Sequence, residues 1–268
     1  MIAKIAVIIP ARFGSTRFPG KPLEMLGDKT VLGRVVEVAR EAIAPWPHAR
    51  VAVATDDDRI AAHAKMLGIE AIMTPSSCPT GTDRVFAAAE KMNPRPEIVV
   101  NLQGDAPFTP MVAIRDIVSL LARDPAVQVA TPVVPLSWGS LDELRENKKT
   151  TPHSGTTAIV AKDGRALWFS KAILPVIRGE EALREAGKMS PVLRHLGLYG
   201  YRMGALGQIV KWPEGHYEGL ERLEQLRMLE NGLAIHTVTI DDADNWALGG
   251  IDTREDLDRA NRYLKDKE

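Results

Sequence analysis

The segment Pro10-Ala11-Arg12-Phe13-Gly14-Ser15-Thr16-Arg17-Phe18-Pro19-Gly20-Lys21-Pro22-Leu23 places three cations and two glycines within ten residues. Glycine lets backbone N–H groups approach phosphate oxygens, Arg supplies forked donors and Lys a compact charge. The pattern suits a polyphosphate. It is not a Walker A loop, because five residues separate Gly14 from Gly20 and Pro22 stands where a Ser or Thr would hold magnesium. The plainer alternative is a solvated cationic turn.

Two acidic positions add to this. In Asn101-Leu102-Gln103-Gly104-Asp105-Ala106-Pro107 a carboxylate follows a long apolar run, with Gly before it. In Gly249-Gly250-Ile251-Asp252-Thr253 a second Asp precedes a helix pattern. Each alone is an ordinary turn or cap residue. Converging on one or two metal ions, they fit phosphoryl or nucleotidyl transfer. Pro79-Thr80-Gly81-Thr82-Asp83-Arg84 opens a helix and offers its first-turn N–H groups to a base or anion. In Arg194-His195-Leu196-Gly197-Leu198-Tyr199-Gly200-Tyr201-Arg202, residues His195, Tyr199 and Tyr201 alternate onto one face of a strand. Glu221 and Glu224 fall at i, i+3 on a helix pattern, beside Gln225. Asp56-Asp57-Asp58 resembles a glycosyltransferase D-x-D but stands at a helix start, where it reads as a cap. The six His show no H-x-x-x-H spacing, Cys78 has no motif around it, and there is no G-x-S-x-G elbow.

The elements that position these residues alternate. Short apolar runs at Ile5–Ile9, Val51–Ala54, Ala71–Met73, Ile98–Leu102 and Val127–Val134 read as buried strands. Helical spacing covers Val31–Ile43, Asp56–Leu67, Thr82–Met92 and Ala113–Ala122. This βα order predicts a mostly parallel sheet covered on both faces, with the ligand beyond the carboxyl ends of the strands. The chemistry-bearing loops begin at those ends. Further on, an Asp-Gly turn joins strands at Ala158–Val160 and Ala166–Phe169, Gly179–Met189 reads as exposed, and Leu196–Tyr201 reads as a strand. A helix runs over Tyr217–Asn231 to Gly232, a strand over Ile235–Ile240, and Thr253 caps a last helix. One compact domain over 1–268 with an excursion at roughly 150–215 is the simplest organisation. Lys plus Arg number 34 against 35 Asp plus Glu, so no global basic field points to nucleic acid. One cysteine excludes an intrachain disulfide or a Cys-based zinc site. The N-terminal apolar run ends at Pro10, too short for a signal peptide or a membrane span, so a cytoplasmic protein without membrane insertion is expected.

Taken together, the first loop, Thr80-Gly81-Thr82-Asp83-Arg84, Gln103-Gly104-Asp105, Phe169-Ser170-Lys171, the Arg194–Arg202 segment, Leu223-Glu224-Gln225-Leu226-Arg227 and Gly250-Ile251-Asp252-Thr253 resemble the 3-deoxy-manno-octulosonate (Kdo) cytidylyltransferase family. The resemblance runs over almost the whole chain. It implies a three-layer α/β/α sandwich of the nucleotide-diphosphosugar transferase type. It also implies transfer of CMP from CTP to the anomeric hydroxyl of Kdo with magnesium, in a cytosolic homodimer that serves lipopolysaccharide or capsule assembly. It puts CTP phosphates on Arg12, Ser15 and Lys21, the base near Thr80, Gly81 and Thr82, and metal on Asp105 and Asp252. The sugar acid falls to Gln103, Lys171, His195, Tyr199, Glu221, Glu224 and Gln225. Three positions depart from the family pattern: Ala106 replaces Glu, Lys171 replaces Arg, and the stretch 151–157 lacks a Lys. All three lie where the acceptor or metal shell is expected, so a related sugar acid such as an amino-Kdo is the runner-up acceptor. A glycosyltransferase using a ready-made nucleotide sugar, or a nucleotide-binding regulator, is the more distant alternative.

Overall fold

The computed structural model describes residues 4–14, 17–241 and 250–266. Strand β1 (Ile5–Pro10) leads through the cation-rich loop to a 3-10 turn (Lys21–Leu23) and a small hairpin, β2 (Met25–Leu26) and β3 (Lys29–Thr30). Then come α1 (Val31–Ile43), β4 (Arg50–Thr55), α2 (Asp58–Met66), β5 (Glu70–Met73), α3 (Gly81–Lys91), β6 (Ile98–Asn101), α4 (Met111–Arg123) and β7 (Val129–Ser137). The second half holds α5 (Trp138–Thr150), β8 (Thr156–Val160), β9 (Ala166–Ser170), α6 (Glu180–Ala186), β10 (Met189–His195) and β11 (Tyr199–Arg202). It closes with α7 (Met203–Ile209), α8 (His216–Glu221), α9 (Gln225–Glu230), β12 (Ile235–Thr239) and α10 (Arg254–Lys265).

One ten-stranded sheet runs in the order β5-β4-β1-β6-β11-β7-β10-β8-β9, with β12 also paired to β7. Following the pairings, β1, β4, β5, β6, β7, β8 and β12 point one way and β9, β10 and β11 the other. The expected mostly parallel sandwich therefore stands, and its strand order does not follow the chain. β7 does not pair with β6; antiparallel β11 lies between them. Strand β1 is buried on both faces. Val7 and Ile9 pack in a core with α1, α2 and α4, while Ala6 and Ile8 pack in a second core with α3, α7 and α9. This two-sided burial is why the run reads as continuously apolar.

Two expected elements are divided. Leu196–Tyr201 is not one strand: β10 ends at His195 and β11 begins at Tyr199, with Leu196 to Leu198 turning between them. Tyr217–Asn231 is not one helix: Arg222 adopts a left-handed backbone (φ 54) and splits it into α8 and α9. Glu221 and Glu224 therefore do not share a helix face. Gly232 (φ 74) ends the segment as expected, and Thr253 with Asp256 forms a full capping box. The Asp163-Gly164 turn joins β8 and β9, with Gly164 at φ 84, and the region 179–189 is exposed around the short helix α6. Asp57 caps α2, accepting from Arg59 N at 3.0 Å.

Candidate active site

A cleft of about 260 Å³ opens at the carboxyl ends of β1 and β6. Arg12, Arg17, Lys21, Thr80, Gly81, Gln103, Asp105 and Asp252 line it. The loop after β1 is shaped by Gly20, whose left-handed backbone (φ 74) starts the 3-10 turn and whose N donates to Phe13 O at 2.9 Å. The Arg59 guanidinium lies 3.3 Å from the Phe13 ring centroid and pins the loop from α2. The turn carries the Lys21 side chain inward, and Lys21 is only 7% exposed. Ser15, expected at the phosphates, lies outside the described residues.

Asp105 and Asp252 come together from opposite ends of the chain. Gly104 lets the strand end pass directly under β1, because a Cβ there would sit 2.6 Å from Pro10 O. Ile251 N donates to Asp105 O at 2.8 Å, which ties the second acidic segment to the first. Asp252 N donates to Asp256 Oδ2 at 3.0 Å, from the first turn of α10. The two carboxylates converge on one cation: Lys21 Nζ is 2.7 Å from Asp105 Oδ2 and 3.2 Å from Asp252 Oδ1. Arg17 Nη2 holds the other Asp252 oxygen at 3.3 Å. Sequence reasoning left Arg17 without a role, since its position in the loop does not show which acid it meets.

Helix α3 starts at the same cleft. Thr80 and Asp83 form a reciprocal capping box, so the Thr80 hydroxyl is committed to Asp83 Oδ2 at 2.6 Å. The first-turn N–H groups of Gly81 and Thr82 have no intrahelical partner, as at any helix start. The Thr82 side chain turns away from the cleft into the interior. Asn101 Nδ2 donates to its Oγ1 at 3.3 Å. Gln103 Nε2 donates to Asn101 Oδ1 at 3.1 Å. A chain of polar contacts thus runs from Gln103 in the cleft through Asn101 to Thr82. Arg84 is buried against Asp56 at 3.0 Å and Thr74 at 2.7 Å, so Asp56 serves as an ion-pair partner.

The residues expected to hold the acceptor gather behind this chain. The rings of Phe169, His195, Tyr199 and Tyr201 succeed one another with centroid separations of 4.8, 5.5 and 5.9 Å. His195 stays in this row although it ends β10 and the tyrosines belong to β11. Burial, helped by Lys171, pushes His195 down to about 3, so it is neutral, and its Nε2 meets Thr131 Oγ1 at 2.9 Å. Glu221 accepts from Ser170 Oγ at 2.8 Å and from Lys171 N at 2.5 Å. Burial raises the Glu224 carboxyl. It lowers the Lys171 ammonium, with Glu221 opposing and Arg194 adding to the shift. Lys148, unsuspected from sequence, reaches from α5 to the carbonyls of Lys171 (2.6 Å), Gly155 (3.2 Å) and Ser154. Two buried polar atoms here have no partner among the described residues, Tyr199 Oη and Gln225 Nε2. Ala106 lines a separate, mainly apolar cavity of about 120 Å³ that shares Gln103 with the cleft.

Residues 6–236 match the family described as Cytidylyltransferase. The 3-deoxy-manno-octulosonate cytidylyltransferase of Anaeromyxobacter dehalogenans (strain 2CP-1 / ATCC BAA-258) is 44% identical over 262 residues, 97% of each chain. The chain belongs to the 3-deoxy-manno-octulosonate cytidylyltransferase family. The enzyme of that name from Maricaulis maris is 40% identical over 237 residues, 88% of each chain. A solved CMP:2-keto-3-deoxy-manno-octonic acid synthetase complexed with CTP superposes with a TM-score of 0.82 at 31% identity, covering 99% of this chain and 100% of that one.

Proposed function

We propose that this chain transfers CMP from CTP to the anomeric hydroxyl of Kdo and releases pyrophosphate. The observation that carries the reading is the convergence of Asp105 and Asp252 on a single cation inside a cleft lined by Arg12, Arg17 and Lys21. Such a reaction needs no covalent intermediate. The acceptor hydroxyl gives up its proton to water as its oxygen attacks the α-phosphorus in line, the bond to the bridging oxygen breaks, and pyrophosphate leaves with that bond's electron pair. Catalysis then rests on alignment and charge neutralisation.

The chain supplies both. Arg12 and Lys21 neutralise the phosphates and the departing pyrophosphate. The helix start at Gly81, with Thr80, receives the base. The acceptor lies along His195, Tyr199, Glu221, Glu224 and Gln225, and its carboxylate faces Lys171. The Tyr199 hydroxyl and Gln225 amide, unpartnered among the described residues, suit a polyhydroxy ligand, since buried polar groups are seldom left unpaired. Gln103 joins the two halves. The neutral His195 donates or accepts a hydrogen bond and carries no charge.

The acidic pair fits a magnesium-type ion. Magnesium takes hard oxygen ligands and is commonly held by one or two carboxylates plus substrate phosphates. Asp105 and Asp252 would hold it, and when bound it supplies charge at the α-phosphate and lowers the pKa of the acceptor hydroxyl. We read residues 1–268 as one domain whose excursion at roughly 150–215 binds sugar and forms a homodimer. Edge strand β9 exposes Leu167 there. Cytoplasmic work follows from the need for CTP.

The test is pyrophosphate release with CTP, magnesium and a panel of 2-keto-3-deoxy sugar acids, Kdo and an amino-Kdo among them. Kdo is expected to give the highest kcat/KM. Silence across the panel with CTP still bound would sink the enzyme reading, and preference for the amino sugar would reassign the acceptor.

A further inference from the structure

Lys21 occupies the position where the two acidic ligands meet. Its side chain is 9% exposed, against 34% for Asp105 and 44% for Asp252. An ammonium so far removed from water depends on its two carboxylates for solvation. The carboxylates in turn spend their converging oxygens on it, and Arg17 takes the remaining oxygen of Asp252. A divalent cation bound by both acids would have to stand where this ammonium stands. At such separations two cations repel strongly in a site only partly open to water.

We propose that Lys21 is a resident counter-cation which holds the metal site shut until a triphosphate draws it away. The proposal rests on Asp105 and Asp252 being the metal ligands, as read above. A nucleotide triphosphate in the cleft offers Lys21 a second set of anionic oxygens within the same cavity. The lysine then exchanges carboxylates for phosphates, and the acids become available. The same residue thereby serves twice, as guard of the acid pair and as phosphate clamp of the loaded site. Metal and nucleotide binding are coupled through it, and linkage requires the coupling to be equal in both directions. The chain without nucleotide binds divalent metal poorly, and pyrophosphate departure returns Lys21 to the acids, which favours release of the ion.

The experiment is titration of Mn2+ alone into the full-length protein, with free Mn2+ read by electron paramagnetic resonance. Without nucleotide, Lys21→Gln is expected to bind Mn2+ roughly tenfold more tightly than the unaltered chain, within the usual range of site–site coupling. Lys21→Arg keeps the charge and is expected to show no gain. Arg17→Met, at a side chain 66% exposed, keeps the fold and is expected to gain about threefold, the size of an exposed ion pair. Adding Asp105→Asn to Lys21→Gln should cancel the gain. If neither Lys21→Gln nor Arg17→Met binds Mn2+ more tightly, the proposal is overturned. Should Lys21→Gln fail to fold, Arg17→Met decides alone. In that negative case the parent protein with CTP shows which part failed. Loss of its Mn2+ on Asp105→Asn keeps the metal site and discards only the counter-cation. No effect of Asp105→Asn in any background discards both.

Discussion

Gly104→Ala isolates the contact that sets the active geometry. The added Cβ would lie 2.6 Å from Pro10 O and 3.5 Å from both Ala11 Cβ and Ile9 Cγ2, with the first distance well inside the 3.4 Å at which ordinary contact begins. The obstacle is backbone at the carboxyl end of β1, so it cannot swing aside as a side chain would. The segment after β6 must move instead. Overpacking of this kind costs ~1–3 kcal/mol of stability. Asp105 is the next residue, and its carbonyl receives the Ile251 N–H at 2.8 Å, so a shift at Gly104 carries both acids away from Lys21. A misplacement near 1 Å costs about a hundredfold in rate. We expect kcat to fall by between about tenfold and about a hundredfold, with a lower urea midpoint at unchanged slope. Gly204→Ala is the internal control. No heavy atom lies within 4 Å of its Cβ, and it sits in α7, where alanine is favoured by ~0.5–1 kcal/mol. Urea unfolding and pyrophosphate release on both variants read the result. A Gly104→Ala protein as stable as its parent and turning over at the parent rate would refute the close-approach argument.

Three further outcomes are expected. Asp105→Asn should cut turnover far more than CTP affinity, measured by calorimetry beside pyrophosphate release; equal losses would contradict a mainly catalytic role. Tyr199→Phe removes a buried hydroxyl that has no partner among the described residues, so stability should change by no more than ~0.5 kcal/mol. The acceptor KM should rise about three- to tenfold, the worth of one hydrogen bond, with the CTP KM unchanged; a stability loss without a KM change would show a structural hydroxyl. His195, at about 3 in the fold against about 6.5 unfolded, binds fewer protons folded than unfolded between those values. Stability attributable to it is therefore fully present above pH ~6.5 and falls as pH drops toward ~3, at no more than ~1.4 kcal/mol per pH unit. Histidine-selective NMR titration should show His195 unprotonated at pH 5, and a midpoint near 6.5 would overturn the buried, neutral assignment.

The first half of the chain was legible because its signals are local. Two-sided burial makes Ile5–Ile9 and Ile98–Val100 continuous apolar runs, and the helix expected over Val31–Ile43 has those bounds. Strand-end logic then placed Arg12, Lys21, Gln103 and Asp105 in one cleft. The second half was less legible because long-range contacts decide it. Nothing local tells that β11 will lie between β6 and β7, or that Arg222 will adopt a left-handed backbone inside a helix pattern. The break separates Glu221, which joins Ser170 and Lys171, from Glu224, whose carboxyl is raised by burial. Helix α5 escaped notice for want of a strong apolar face, and with it Lys148, whose partners are backbone carbonyls that no sequence pattern marks.

The central claim is the transfer itself, and phosphorus NMR of a stoichiometric mixture of enzyme-treated CTP, Kdo and magnesium tests it most directly. The account predicts that the three CTP resonances give way to pyrophosphate and one phosphodiester of a CMP-sugar, in equal amounts and only when the sugar acid is present. Unchanged CTP, or its conversion to CDP and phosphate whether or not the sugar acid is there, would contradict it.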